Sequence, residues 1–287
     1  MSEVFSDKNA SKFLPARPQR SCKGDFGRIL CVCGSSGMAG AAYLCAKAAY
    51  RSGAGLVEIF THESNRVILQ VLLPEAIVSV YTDEYSINDI LPSIEKADCI
   101  IAGCGLGATS QSKNILSDLL RNAQKKPLVL DADALNIISK NKVLLKYAKD
   151  AVITPHAKEM ERLCGKSVND ILASTSDTAR EFAKANELIC VLKDHETIIS
   201  DGECIYKNSS GNSGMATGGS GDVLAGIVGG LLAQKENGSA NTLELAALAV
   251  YLHGLSGDIA AQKLGEYSLT ASDIIDNLPD AFKSIKN

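Results

Sequence analysis

Between residues 27 and 208, short apolar runs rich in strand formers alternate with longer amphipathic stretches. The strand-length runs are GRILCVCG (27–34), AGLVEIFT (54–61), AIVSVY (76–81), DCIIAGCG (98–105), PLVLDAD (127–133), AVITPH (151–156) and LICVLKD (188–194). Between them, AAYLCAKAAYRSG, SNRVILQVLL, INDILPSIEKA, QSKNILSDLLRNAQ, KEMERLCG and TSDTAREFAKAN read as helices, the first closed by Gly53. TIISDG with ECIYKN reads as a hairpin, and from residue 221 onward everything reads as helix. Strand–helix alternation of this kind predicts an α/β fold in three layers: a doubly wound, mostly parallel sheet with helices on both faces. No compositional break suggests a linker, so residues 1–287 are expected to form a single domain. Residues 1–26, with LPARPQR at 14–20, read as an extended N-terminal arm.

Composition narrows the partners. A net charge of −4 gives no basic footprint for nucleic acid or an anionic membrane. The apolar runs read as shorter than the roughly 18 residues of a membrane span. MSEVFSDKNASKF has neither the apolar core of a secretory signal nor the arginine bias of a transit peptide. The nine cysteines include no CxxC pair, which argues against a zinc ribbon or a redox motif. Several lie inside apolar runs, where a thiol behaves as a small hydrophobe. Reduced thiols and a cytoplasmic location are the expectation.

In a doubly wound sheet, ligands bind beyond the carboxyl ends of the strands. The residues placed there are GSSGMAG (34–40), GCGLG (103–107), DADALN (131–136), TPHAKE (154–159) and KDHET (193–197). GSSGMAG is neither a Walker A loop nor GxGxxG; it reads as a plain turn or as backbone amides facing an anion. Asp131 and Asp133 close a buried strand, where a carboxylate needs a partner, a metal or a helix to cap. His156 and Glu159 share a face at a helix start, either as a capping box or as part of a magnesium site completed by phosphate and water. Lys193 either reaches a ligand's phosphate or ribose or is solvated.

GGSGDVLAG (218–226) is the strongest signal. Its glycines let successive backbone N–H groups point outward at a helix N-terminus, an anion-binding arrangement. Asp222 sits where a transferring phosphoryl group would arrive and can take a proton from an attacking hydroxyl. The plainer alternative is an aspartate capping a helix after a flexible turn.

GGSGDVLAG resembles the signature of the ribokinase-like small-molecule kinases. KGDFGRILCVCGSSGMAGAAYL, PEAIV, GCGLG, LVLDADALN, TPHAKEMERL, VLKDHETII and GNSGMATGGSGDVLAGIVGGLLAQ, in that order, resemble the NAD(P)H-hydrate dehydratases of that superfamily. The likeness runs from about residue 14 to the end, with Cys22 where the family usually has histidine. It implies a ribokinase-like fold and a hydro-lyase that returns the S epimer of C6-hydrated NADH or NADPH to the intact cofactor. ADP or ATP, with Mg2+, would phosphorylate the C6 hydroxyl and phosphate would then leave. Asp222 would be the base, and the amides of Gly219, Ser220 and Gly221 would stabilise the transferring charge. Lys193, Asp194, His195, Glu196 and Thr197, with Asn212 through Gly218 to Gly221, would hold the nucleotide. Ala41, Gly105, His156, Glu159, Arg162 and Asp222 would face the hydrated cofactor, and Glu159 would sit by the magnesium. The resemblance also implies a homotetramer, its surface sought on the apolar C-terminal helices, and a separate epimerase, since only a short arm precedes residue 27. A vitamin or sugar kinase of the same fold is the alternative.

Overall fold

The computed structural model of the protein describes residues 2–123, 125–234 and 238–285. Met1 of the expected arm, Gln124 at the end of QSKNILSDLLRNAQ and residues 286–287 of the expected domain lie outside the described residues. Ten strands form one sheet: β1 (Ser2–Phe5), β2 (Arg28–Val32), β3 (Leu56–His62), β4 (Ile77–Tyr81), β5 (Cys99–Ala102), β6 (Leu128–Leu130), β7 (Val152–Ile153), β8 (Ile189–Leu192), β9 (Ile198–Ser200) and β10 (Ile205–Asn208). Their spatial order is β1-β10-β9-β8-β7-β6-β5-β2-β3-β4. Every neighbouring pair is parallel except β8–β9 and β9–β10, the expected hairpin region.

Among the described residues, twelve helices cover the two faces. In chain order they are α1 (Asp7–Phe13), α2 (Ala39–Arg51), α3 (Arg66–Leu72), α4 (Leu91–Lys96), α5 (Ser110–Asn122), α6 (Asp133–Lys140), α7 (Ala157–Cys164), α8 (Val168–Ala173), α9 (Thr175–Asn186), α10 (Ser220–Leu232), α11 (Thr242–Leu264) and α12 (Ala271–Ser284). One core lies between the sheet and α1–α3 with α10–α12. The other lies between the opposite face and α4–α9. Alternate residues of β2 divide between them: Ile29 and Cys31 enter the first, Leu30 and Val32 the second. A central strand covered on both faces is apolar at every position, which is why GRILCVCG shows no alternation.

Two expectations are corrected. The N-terminal segment is not simply an extended arm: β1 pairs in parallel with β10 at the sheet edge, and α1 follows it. SEVF is too short to display a period. Its anchor is Phe5, fully buried against Tyr206, Tyr251 and Phe13 with ring centroids 5.5–6.0 Å apart. Second, one apolar segment does reach membrane-span length. Helix α11 has 23 residues, and its most apolar 18-residue window has a mean hydropathy of 1.2. It is a core helix, with 72% of that window buried within the molecule.

Helix α10 is apolar all round because it is central. Every residue from Val223 to Leu232 is buried. Two of its glycines lie against α2. A Cβ on Gly226 would stand 2.2 Å from the Cys45 carbonyl oxygen, and one on Gly230 would stand 2.7 Å from Ser52 Cβ. The backbones therefore approach more closely than any side chain permits, and small residues of α2 (Cys45, Ala48, Ala49) and Ser52 at its end face the two glycines.

Candidate active site

The chain passes from β2 outward through β3 to β4, then returns to place β5 on the other side of β2. This reversal opens a crevice beyond the carboxyl ends of β2 and β5. The two loops expected there meet: Gly34 N donates to Cys104 O (2.9 Å) and Ser35 N to Gly105 O (2.6 Å). Ala41 packs beside Gly105, so close that a Cβ at Gly105 would lie 2.8 Å from the alanine methyl.

A second cleft, of about 1000 Å³, lies beside this crevice over the ends of β6, β7 and β8. Asp131, His156, Glu159, Lys193, Asp194, His195, Thr197, Asn212, Gly219, Ser220, Gly221 and Asp222 all border it. Most of the expected nucleotide and catalytic residues thus converge, although they span 92 positions of sequence (131 to 222). Three expected residues do not line the cleft. Glu196 pairs with Lys207 on β10, Gly218 is exposed, and Arg162 donates to Asn136 Oδ1 at 2.7 Å.

The floor is an ion pair. Asp131 Oδ1 accepts from Lys193 Nζ (2.9 Å) and from Thr154 Oγ1 (2.7 Å), and its side chain is 2% exposed. Burial opposes the lysine's charge, but the Asp131 and Glu159 carboxylates outweigh it and hold the ammonium above its usual range. Lys193 is therefore held in an ion pair at the cleft wall rather than free to swing. A Cβ on Gly221 would sit 3.4 Å from its Nζ, so the fixed charge lies against the glycine loop. Asp133 does not cap α6; its Oδ2 accepts from Gly107 N at 2.7 Å, tying the DADALN turn to GCGLG.

His156 and Glu159 form the capping box of α7. Glu159 Oε2 accepts from His156 N (3.0 Å), while His156 Nδ1 accepts from the amides of Lys158 and Glu159. Nδ1 as acceptor places the ring proton on Nε2, 3.4 Å from Glu159 Oε1. Burial lowers the imidazole's pKa, so the ring is neutral near pH 7. Glu159 still has lone pairs to offer toward the cleft. A carboxylate with that capacity suits magnesium, which takes one or two carboxylates and leaves its other positions to phosphate and water.

Asp222 stands in the first turn of α10. The helix is entered through Gly219 at φ 92°, a left-handed conformation that a β-carbon disfavours. A methyl there would also meet Leu44 Cδ1 at 2.4 Å. Burial, and then the charge of Asp131, push the Asp222 carboxyl up to about 6; the Cys104 thiol and Lys193 pull the other way. A base poised near neutrality is well matched to proton abstraction. The Cys104 sulfur lies within 4.8 Å of both the Asp131 and Asp222 carboxylates and joins the crevice to the cleft.

Two residues of the site were not legible in the sequence. Asp258 on α11 accepts from Gly211 N and Asn212 Nδ2, both at 2.8 Å, and so clamps the loop that leads to the glycines. His253 on the same helix lies 3.3 Å from Ser220 Oγ, and burial lowers its pKa to about 4. A histidine and an aspartate within an otherwise apolar helix were the available signal.

The sequence pattern of the NAD(P)H-hydrate dehydratases matches residues 29–280. The chain belongs to that family. The ADP-dependent (S)-NAD(P)H-hydrate dehydratase of Listeria monocytogenes is 35% identical over 280 residues, covering 97% of this chain and 96% of the relative. Among solved structures, a ribokinase-like superfamily protein of Enterococcus faecalis superposes with a TM-score of 0.87 at 32% identity, covering 100% and 97% of the two chains. The ADP/ATP-dependent NAD(P)H-hydrate dehydratase of Bacillus subtilis, co-crystallised with ATP and Mg2+, gives 0.83 at 28% identity, with 98% of each chain covered. The fold is thus ribokinase-like. The dehydratase family also includes bifunctional NAD(P)H-hydrate repair enzymes, and the chain spans about half the length of those it matches.

Proposed function

We propose that the protein dehydrates the S epimer of hydrated NADH or NADPH with ADP or ATP as phosphoryl donor. The observation that carries this reading is Asp222, a half-buried carboxylate with its pKa raised to about 6, at a helix start between a fixed ammonium and a left-handed glycine. The hydrated ring occupies the crevice by Ala41 and Gly105, and the nucleotide the cleft by Lys193–Thr197 and Asn212–Gly221. Asp222 takes the proton of the C6 hydroxyl as its oxygen attacks the donor's terminal phosphorus. The bond from that phosphorus to the bridging oxygen breaks, and the shortened nucleotide departs. Charge on the transferring group faces the amides at the start of α10 and the Lys193 ammonium, which need no reorganisation at that moment. The C6–O bond then breaks with its electron pair leaving on phosphate, and loss of a proton from the neighbouring ring carbon restores the double bond. Mg2+ bound near Glu159 would supply charge neutralisation for the donor phosphates.

The same reading includes a reduced, cytoplasmic protein, consistent with nine free cysteines. It includes a homo-oligomer, with a tetramer favoured by family likeness. The C-terminal helices bury most of their apolar residues in the protein's own core. A group of exposed apolar residues on α3 and the edge strand β4, with Val67 72% and Val71 75% exposed and Ile77 beside them, is a second candidate for the contact surface. An epimerase activity would supply the S epimer.

The test is incubation with hydrated NADH and Mg2+, with ADP and ATP side by side. Recovery of reduced-nicotinamide absorbance with stoichiometric phosphate release is expected. A phosphorylated product that retains its phosphate would make the protein a small-molecule kinase and overturn the dehydratase reading.

A further inference from the structure

A cluster of thiols lies beneath Asp222 and takes no part in the chemistry above. Cys33 follows β2, Cys45 stands on α2 and Cys104 follows β5. All three are fully buried, and their Sγ atoms lie within 4.8 Å of one another. Zinc–thiolate bonds are about 2.3 Å long, so three sulfurs on one tetrahedral ion stand about 3.8 Å apart. The sulfurs need to draw in by no more than about 1 Å to share an ion.

Core packing alone explains a thiol in an apolar layer, but it does not require three of them from three separate elements to converge. Their position also supplies an entrance. Cys104 Sγ is within 4.8 Å of the Asp131 and Asp222 carboxylates, and both aspartates line the open cleft. An ion in the cleft therefore meets two carboxylates with one buried sulfur behind them, and beyond that sulfur the other two thiols. Three thiolates and a dication leave one net negative charge, placed near the Lys193 ammonium. A sulfur-rich set selects soft and borderline ions such as Cu+, Zn2+ and Cd2+ over Mg2+, which takes oxygen ligands.

We propose that Cys33, Cys45 and Cys104 form a binding site for one thiophilic metal ion, entered through the nucleotide cleft, and that its occupancy stops turnover at Asp222. Each sulfur forms a bond to the metal as its S–H bond gives up a proton, so binding releases up to three protons and changes no oxidation state. Without an ion, the three groups stay thiols: hydrogen bonds inside the cluster raise Cys45 and Cys104 and partly cancel at Cys33, and burial raises all three. With one, Cys104 no longer has a proton to donate to Asp222, and a cation sits beside the carboxylate that must take the substrate's proton.

The experiment uses the full chain, reduced, with the exposed Cys22 and Cys204 replaced by serine to remove adventitious surface thiolates. Cd2+ is titrated while the thiolate-to-cadmium charge-transfer band, proton release and turnover are followed. The band should saturate at one ion per chain, with protons released and turnover lost in parallel, and Mg2+ should produce no band. Cys33→Ala and Cys45→Ala should keep their metal-free activity, lose the band and raise the Cd2+ needed for half-inhibition at least about 100-fold. Absence of a band at one equivalent overturns the proposal, whether or not those variants fold. So does unchanged Cd2+ inhibition in folded Cys33→Ala and Cys45→Ala. Because the band reports binding without turnover, failure of the dehydratase reading leaves this test intact.

Discussion

Asp222→Asn should make the protein more stable and nearly inactive. Folding raises the Asp222 carboxyl from its ordinary 3.8 to about 6, chiefly through burial and then through the Asp131 charge. Between those values the native state holds the proton more tightly than the unfolded chain does. Unfolding free energy therefore falls as pH rises through that window. A rise of this size corresponds to about 3 kcal/mol of stability forgone once the carboxylate is ionised in both states. Asparagine is neutral throughout and keeps nearly the same shape. The variant should gain up to about 3 kcal/mol over the parent near pH 8, and about half of that near pH 5. Turnover should drop by about 10²–10⁴-fold, the usual contribution of a general base. Urea unfolding of both proteins at the two pH values, with steady-state rates on the same preparations, measures each quantity. A variant less stable than the parent near pH 8, or a gain that does not shrink toward pH 5, would refute the electrostatic account. Near-normal turnover in the folded variant would refute the base.

Asp131→Asn leaves the half-buried Lys193 ammonium without its closest partner and should cost about 1–3 kcal/mol in denaturant unfolding. It also removes a negative neighbour of Asp222, so the acid limb of the rate–pH profile should move to lower pH; an unmoved limb would show that the two carboxylates do not communicate. ADP with Mg2+ at about 100 times its Kd should stabilise the fold by about 2.7 kcal/mol, and a differential-scanning melt that does not rise would count against the nucleotide cleft. Gly226→Ala gains about 1 kcal/mol of helix propensity. Its methyl, however, meets the Cys45 carbonyl oxygen at 2.2 Å. Strain from overpacking, about 1–3 kcal/mol or more, should win, and a thermal melt above the parent's would contradict the tight α2–α10 contact.

The doubly wound sheet was readable because strands buried on both faces leave continuous apolar runs, and β2, β5 and β8 sit where GRILCVCG, DCIIAGCG and LICVLKD predict. The rule that ligands collect at carboxyl ends selected Lys193, Asp131 and Glu159 correctly as cleft residues. What it could not supply was pairing. Nothing in KDHET says that Lys193 is held by an aspartate 62 positions earlier. Strand β1 escaped because its registration comes from one buried phenylalanine rather than a period. The thiol cluster escaped for a related reason. Metal-site spacing rules assume ligands from adjacent turns, whereas residues 33, 45 and 104 meet only after the sheet has formed.

The glycines at 226 and 230 fix more than packing. Helix α10 carries Asp222, the proposed base, in its first turn, and α2 carries Ala41 in its own, so the seam between them sets the spacing of the proposed donor and acceptor beds. With only hydrogen atoms at the contact, the two helices have no side chains to re-rotamer and no slack through which to slide. The distance between the two beds behaves as a constant of the molecule. Any closing movement during the reaction must then come from the loops above, such as residues 208–219. Redesign for a longer or shorter acceptor would likewise have to act on those loops, because the helices beneath offer no intermediate setting.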